Sequence, residues 1–388
     1  MKTSDESSPI GVYIHIPFCA HKCRYCDFTS FPIGDAGTHL AYIMQVIHEM
    51  RAKRPLLSGG SARAPEADTV YIGGGTPSLI EAGFVTELLD AVYAGFRVSD
   101  DAEITIEVNP GTTDAEKFRR YFAAGVNRVS VGAQSFHAGT LGFLGRIHRP
   151  EETLRCVWDA RDAGFDDINI DLIFGVPGQS LSDWAGDLAA AAALDPAHVS
   201  FYSLQIEEGT PLFEDFVCGA IDAADDILDR RMYHFAKERL AARGLCQYEI
   251  SNSAKPGKAS RHNLKYWSME PYAGFGVGAH SYFGGRRFSN TSELACYLSA
   301  ESGVAMMDWT HKNTLSDDMS EFIFLGLRRT AGIELSRFRA HFGRDFWEIY
   351  GEETEKLIGR GLLEKIGDVL RLTALGLDLA NNVFSEYV

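Results

Sequence analysis

Basic residues are scarce in this 388-residue chain: 37 Lys and Arg stand against 53 Asp and Glu, a net charge of −16 at pH 7. So acidic a surface excludes a general binder of phosphate backbones, and an anionic ligand would need a locally basic patch. Long apolar runs are missing too. Leu188 to Leu194 is the obvious one, and it falls far short of the roughly 20 residues that span a bilayer. Met1 to Pro9 is polar and lacks the apolar core of a secretory signal. Cysteine is sparse, at seven residues. An odd count beside a polar N-terminus disfavours a disulfide framework and predicts a reducing, cytoplasmic setting. With 45% hydrophobic and 23% charged residues, the composition is that of an ordinary globular protein, long enough for about two or three domains.

The cysteines that are present are unevenly placed. Cys19, Cys23 and Cys26 fall within eight residues, while Cys156, Cys218, Cys246 and Cys296 are scattered. At the chain's own cysteine frequency that spacing arises by chance in roughly 0.002 of such sequences, so it asks for a chemical reason.

Short β-rich segments alternate with helical stretches: Gly11 to Ile16, Thr69 to Ile72, Glu103 to Val108, Arg128 to Val131, Ile168 to Ile173 and His198 to Tyr202. That rhythm predicts repeated βα units on a parallel sheet, with chemistry at the C-terminal strand ends. Asp222 to Arg243 places Leu228, Met232, Phe235 and Ala236 on one helical face, with Gly244 to end it. Ser58 to Ala67 is small and polar and reads as an exposed loop. Near Ala300 to Ser316 the pattern changes to helices ending in a hairpin, Leu363 to Ile366 and Val369 to Leu372 around Gly367-Asp368. Helix plus hairpin suggests a winged-helix-like module. From Leu315 onward, however, 9 basic residues meet 13 acidic ones, so it predicts a structural cap and no nucleic-acid partner.

The first expected strand runs straight into IPFCAHKCRYCDF, putting three thiols on one loop at a strand end. Thiolates select zinc, Cu(I) or an iron–sulfur cluster. Zinc would recruit His15 or His21 as a fourth ligand, but the distant second pair of ligands usual for zinc is not evident. A [4Fe-4S] cube normally takes four thiolates, so three from one loop leave one iron open to an exogenous ligand.

Cys19-x3-Cys23-x2-Cys26 resembles the signature of the radical S-adenosyl-L-methionine (SAM) superfamily. GGGTPS, Gly73 to Ser78, taken alone is a tight strand-to-helix turn. After the cysteine loop it resembles that superfamily's site for the SAM amino group. The likeness runs along nearly the whole chain to the oxygen-independent coproporphyrinogen III oxidase-like branch, and within it to the haem chaperones. It is carried by Tyr13 to Phe28, EVNPG with Glu107, GAQSF with Gln134, LGRIHR with Arg146, DLIFGVPGQ with Asp171, and YSLQIEEGT from Tyr202 to Thr210. The resemblance implies an α/β fold, a radical SAM partial (β/α)6 TIM-like barrel with a C-terminal helical, winged-helix-like domain. The expected divisions are 1–230 for the core, 231–305 for a haem-linked region and 306–388 for the cap. It also implies cluster ligation by Cys19, Cys23 and Cys26, and SAM contacts from Tyr13, Tyr25, Gly74, Gly75, Thr76, Glu107, Gln134, Arg146 and Asp171. In these roles Tyr25 would lie against adenine, the two acids would accept hydrogen bonds from ammonium or ribose hydroxyls, and Arg146 would pair with the carboxylate.

RHNLKYW, Arg261 to Trp267, resembles the chaperones' haem signature. His262 is the expected iron ligand, Trp267 an aromatic wall, and Lys255, Lys258, Arg261 and Lys265 the local basic patch for propionates. His280 in GVGAHS is the competing imidazole. Gly274, Gly276 and Gly278 lack the strand–loop–helix context of a nicotinamide site and read as a close-approach loop beside the SAM pocket. The function implied is haem delivery to acceptor proteins, respiratory enzymes among them; homodimerisation and peripheral membrane contact stay open, although no amphipathic basic helix stands out. The alternative is the oxidase itself, which uses a SAM-derived radical for oxidative decarboxylation. Against it stand Phe28 where oxidases carry a further cysteine, the short stretch before Cys19, and EVNPG in place of an acidic Asp-Pro-Arg segment.

Overall fold

The first strand, β1 (Ile10–Ile16), shows the logic of the whole sheet. Val12, Ile14 and Ile16 are fully buried in the apolar core, while Tyr13, one residue out of phase, turns the other way toward Tyr71 and His262. The same alternation recurs in β2 (Glu66–Gly74), β3 (Arg97–Val108), β4 (Arg128–Gln134), β5 (Asp167–Phe174) and β6 (His198–Ser203). Apolar residues thus form an outer layer under the helices, and polar and aromatic ones line a lumen. In the computed structural model, which describes residues 8–60, 63–302 and 306–388, these six strands pair in parallel and in sequence order. All six match the strands expected from the sequence. The result is the predicted partial (β/α) barrel.

The sheet continues beyond those six. β7 (Cys246–Glu249) and β8 (Asn252–Ala254) extend it past β6, and β9 (Tyr272–Phe275), β10 (His280–Phe283), β11 (Arg286–Asn290) and β12 (Met307–Lys312) extend it past β1. β9 runs parallel to β1, Gly11 opposite Tyr272, so the parallel block has seven strands and its seventh comes from the region after residue 231. Its neighbours are too short and too rich in glycine and polar residues to stand out as strands in the sequence. β12, Met307–Lys312, likewise lies within the stretch where the pattern was expected to change, and residues 303–305 of that stretch lie outside the described residues. The expected loop at Ser58 to Ala67 is shorter than predicted, because β2 already begins at Glu66, and 61–62 are not described; nor are 1–7.

The expected helix over 222–243 is present as Asp226–Ala241, capped by the Asp225 carboxylate, which accepts from the Leu228 amide at 3.0 Å. A second apolar core, from Met319 to Tyr387, gathers the C-terminal helices around a three-stranded sheet of β13 (Ile333–Glu334), β14 (Leu363–Ile366) and β15 (Val369–Leu372). The β14–β15 turn is the predicted Gly367-Asp368, with Gly367 at φ +60°.

Candidate functional site

The loop after β1 is fastened from both sides. The Cys19 amide donates to Phe31 O at 3.0 Å, the Phe31 amide to Pro17 O at 2.7 Å, and the Arg24 amide to Leu144 O at 3.2 Å. Cys19 is buried; Cys23 and Cys26 are half-buried. All three line one cleft of about 420 Å³ at the C-terminal ends of the strands, the position such folds reserve for chemistry. Among the described residues no three His, Cys, Asp or Glu side chains close on a single metal ion. Burial pushes the Cys19 and Cys26 thiols up in pKa, opposed at Cys19 by hydrogen bonds from Thr76 and Ser30.

Across the cleft, β2 ends in the glycine turn. Its tightness is steric: a Cβ on Gly74 would come within 2.5 Å of the His15 ring, and one on Gly75 within 2.9 Å of Phe18 O and 3.0 Å of Cys19 Sγ. Gly74 also sits at φ +115°. The Gly75 and Thr76 amides donate back to Ile16 O and Phe18 O, each at 2.8 Å, and Thr76 Oγ1 donates to Cys19 Sγ at 3.5 Å. The turn and the cysteine loop are thus one unit.

Glu107 at the end of β3 accepts from Tyr71 Oη at 2.8 Å and the Gly74 amide at 3.0 Å. Burial pushes its pKa up to about 7 against those two bonds, and the carboxylate of Asp171 adds to the rise. Asp171 is itself raised by burial, opposed by hydrogen bonds from Ser200, Asn169 and Ser130. Buried Arg128 supplies the opposing positive charge in the lumen. Gln134 faces the cleft with φ +64°, a conformation that costs a non-glycine residue about 1–2 kcal/mol and tends to mark functional positions. Arg146 Nη2 donates to Asn109 Oδ1 and Gly132 O, both at 2.7 Å, and its Nη1 reaches Cys23 Sγ at 3.7 Å. Tyr25 lines the cleft beside it.

Eleven of the twelve residues expected at the cluster and SAM sites therefore converge: Cys19, Cys23, Cys26, Tyr25, Gly74, Gly75, Thr76, Glu107, Gln134, Arg146 and Asp171. Tyr13 does not. The pleat turns its ring behind Tyr71, at 6.2 Å between centroids, and its hydroxyl meets His15 Nδ1 at 2.9 Å. Conversely, Asn109 was passed over in EVNPG. Its Nδ2 donates to Thr76 Oγ1 at 2.9 Å while its Oδ1 holds Arg146, joining the glycine turn to the cation. Only its place directly after a strand end could have flagged it.

The expected haem element lies at the other end of the lumen. Helix Arg261–Trp267 closes the barrel near the start of β1, with the amides of Arg261 and His262 donating to Glu103 at 2.8 and 3.0 Å. His262 is 1% exposed. Its Nδ1 lies 2.8 Å from Thr69 Oγ1, its Nε2 2.8 Å from Tyr266 Oη, and its ring stacks on Tyr71. Burial lowers its pKa to about 3, so it is neutral with both nitrogens in use. The expectation of an accessible imidazole at His262 is not met. The basic patch is also neutralised: Lys255 pairs with Asp195, Lys258 with Asp167, Arg261 with Asp101, and Lys265 with Asp68 and Glu270. Trp267 lines a separate cleft with Tyr13 and His280, and the glycine loop ending at Gly278 borders that cleft rather than the first.

A three-cysteine loop, a glycine turn and paired acids at the strand ends of a partial barrel define a radical SAM protein, and residues 13–191 match the model of the Radical SAM superfamily. Residues 313–379 match the HemN C-terminal domain. The chain is 36% identical to the heme chaperone HemW of Bacillus subtilis (strain 168), covering 97% of this chain and 99% of that protein. It is 41% identical to the heme chaperone HemW of Escherichia coli (strain K12) over 70% of each. The chain belongs to the HemW family. The structure of coproporphyrinogen III oxidase (HemN) from Escherichia coli superposes with a TM-score of 0.85 over 98% of this chain and 90% of that one, at 22% identity, so the fold is shared.

Proposed function

We propose that this chain is a haem carrier on a radical SAM scaffold: it binds haem, a [4Fe-4S] cluster and S-adenosyl-L-methionine, and delivers haem to acceptor proteins, respiratory enzymes among them, in the cytoplasm. The observation that carries the scaffold reading is the convergence of three thiols, a glycine cradle, the guanidiniums of Arg128 and Arg146, and the acids Glu107 and Asp171 on a single cleft of about 420 Å³. Cys19, Cys23 and Cys26 hold the cluster, which when bound offers one-electron chemistry at an open iron. Around it, Arg146 pairs with the SAM carboxylate, Glu107 and Asp171 take its ammonium and ribose hydroxyls, Tyr25 meets the adenine, and Gly74, Gly75, Thr76 and Gln134 shape the wall. Tyr13 acts from behind, through Tyr71.

The haem half is supported by the relatives' names and by the HNLKYW element with His262 and Trp267. Delivery to respiratory acceptors would bring the protein to a membrane surface; among the described residues no helix is long and apolar enough to cross one. The shared fold favours one second reading, the oxygen-independent coproporphyrinogen III oxidase. One preparation decides between them. Anaerobically reconstituted protein is titrated with haem, and separately given coproporphyrinogen III, SAM and reductant. Stoichiometric haem uptake without protoporphyrinogen is expected; robust turnover overturns the carrier reading.

A further inference from the structure

The second cleft, about 490 Å³, is in the size range of ligand sites and is distinct from the cleft that holds the three thiols, sharing with it only Asp27 and Phe28. It opens where helix Arg261–Trp267 meets β9 and β10. One wall is aromatic: Tyr266 and Tyr272 pack edge to face at 4.6 Å, and Trp267 stands beside them with Arg328 stacked at 4.3 Å. The Trp267 indole N–H is buried with no hydrogen-bond partner among the described residues, a polar group of the kind that needs an explanation. The rim passes through Met269 at φ +53°, strain of the sort folds retain at ligand sites.

Two imidazoles border this cleft, and they differ in one respect. His15 is spent, with Nδ1 on Tyr13 Oη at 2.9 Å and Nε2 on Thr29 O at 2.7 Å. His280, at the start of β10, is exposed and has no hydrogen-bond partner among the described residues. An aromatic slot with one uncommitted imidazole suits a planar metalloporphyrin, which asks for ring contacts on its face and one nitrogen for its iron. Resting on the haem-carrier reading above, we infer that haem seats in this second cleft with His280 as its iron ligand and Trp267 and Tyr272 as its wall. His262 is then a positioning residue: it holds Tyr266, and through it the wall, from inside the barrel. A single protein ligand at an open rim also suits cargo that must leave again. Asp27 and Phe28 of the cysteine loop line both clefts, so haem would sit against the back of the cluster loop.

Titrating ferric haem into the full-length protein tests this. His280→Gly is expected to lose the histidine-ligated Soret spectrum and to weaken binding by more than about tenfold, and added imidazole restores the spectrum. His262→Ala is expected to weaken binding through the wall, while its residual complex keeps the wild-type Soret position and gains nothing from imidazole. His280 lies exposed on a short strand, so its variant is expected to fold, and circular dichroism checks it. A wild-type spectrum and affinity in His280→Gly, or imidazole rescue at position 262 instead, overturns the seat while leaving the carrier reading standing. No haem uptake by the wild type overturns both.

Discussion

Glu107 holds Gly74 by its amide at 3.0 Å, so the acid at the end of one strand fixes the turn at the end of the next. That bond persists although burial pushes the Glu107 pKa up to about 7, and the two facts together set a pH dependence. The folded state binds the Glu107 proton more tightly than an unfolded chain, whose carboxyl titrates near its ordinary value of 4.5. Stability from this group is therefore complete below about pH 4.5 and lost as pH rises through 7, on the order of 3 kcal/mol in all. The ligand-free protein should show a lower urea midpoint at pH 8 than at pH 5.5, and Glu107→Gln should flatten the difference. SAM binding should move oppositely, strengthening with pH as the ionised acid becomes available to its ammonium.

Gly75 has no room for a methyl group, since Phe18 O and Cys19 Sγ both lie within 3.0 Å of where it would go. Backbone cannot yield cheaply, so Gly75→Ala should cost about 1–3 kcal/mol and push the first thiol out of register. Iron content after anaerobic reconstitution measures this directly. A fall in iron per chain, with the folded far-ultraviolet spectrum kept, is expected; full cluster loading would show that the cysteine loop shifts freely against the turn.

Six strands and most of the residues that meet in the first cleft were legible because each signal was local: apolar runs bounded by turn residues, and motifs at strand ends. What stayed hidden was set by contacts distant in sequence. β9 takes its place from pairing with β1, 261 residues earlier at Gly11 and Tyr272. His262 looks like a ligand beside Arg261 and Lys265, yet helix Arg261–Trp267 turns inward because Glu103 caps its first turn and Asp68 takes Lys265. The pleat of β1 sets the Tyr13 ring behind Tyr71, a placement its motif does not reveal, and Asn109 carried no signal of its own beyond its position after β3.

Asn109 joins Thr76 to Arg146 by hydrogen bonds of 2.9 and 2.7 Å. Removing it takes away one of the two 2.7 Å hydrogen bonds on Nη2, leaving that nitrogen on Gly132 O and Nη1 on Cys23 Sγ, so the guanidinium is less firmly aimed at the SAM carboxylate. Asn109→Ala should weaken SAM binding by about 1–3 kcal/mol, roughly 5- to 150-fold, without loss of cluster iron. Calorimetric titration of SAM into reconstituted protein distinguishes this from a general collapse of the site, in which iron would fall as well.

Behind the glycine loop lies a charge pair that couples the two sides of the sheet. Lys53 and Glu49 share helix Ala36–Leu57 and are 3% and 0% exposed. Glu49 also accepts from the Gly276 amide at 2.8 Å, Asn290 Nδ2 at 2.6 Å and Tyr297 Oη at 2.6 Å, while Lys53 Nζ donates to Asn290 Oδ1 at 2.7 Å. The carboxylate thus ties that helix to the loop leading from β9 to β10, where His280 begins. Lys53→Met removes the compensating cation and leaves a buried negative charge, so it should destabilise the fold by about 3–5 kcal/mol. Substituting both partners, Glu49→Gln with Lys53→Met, should recover much of that loss, because no unpaired charge remains. Thermal melts of the single and double variants read this out. Additive losses would show that the pair acts only through packing, whereas recovery in the double variant places the cost in the uncompensated charge.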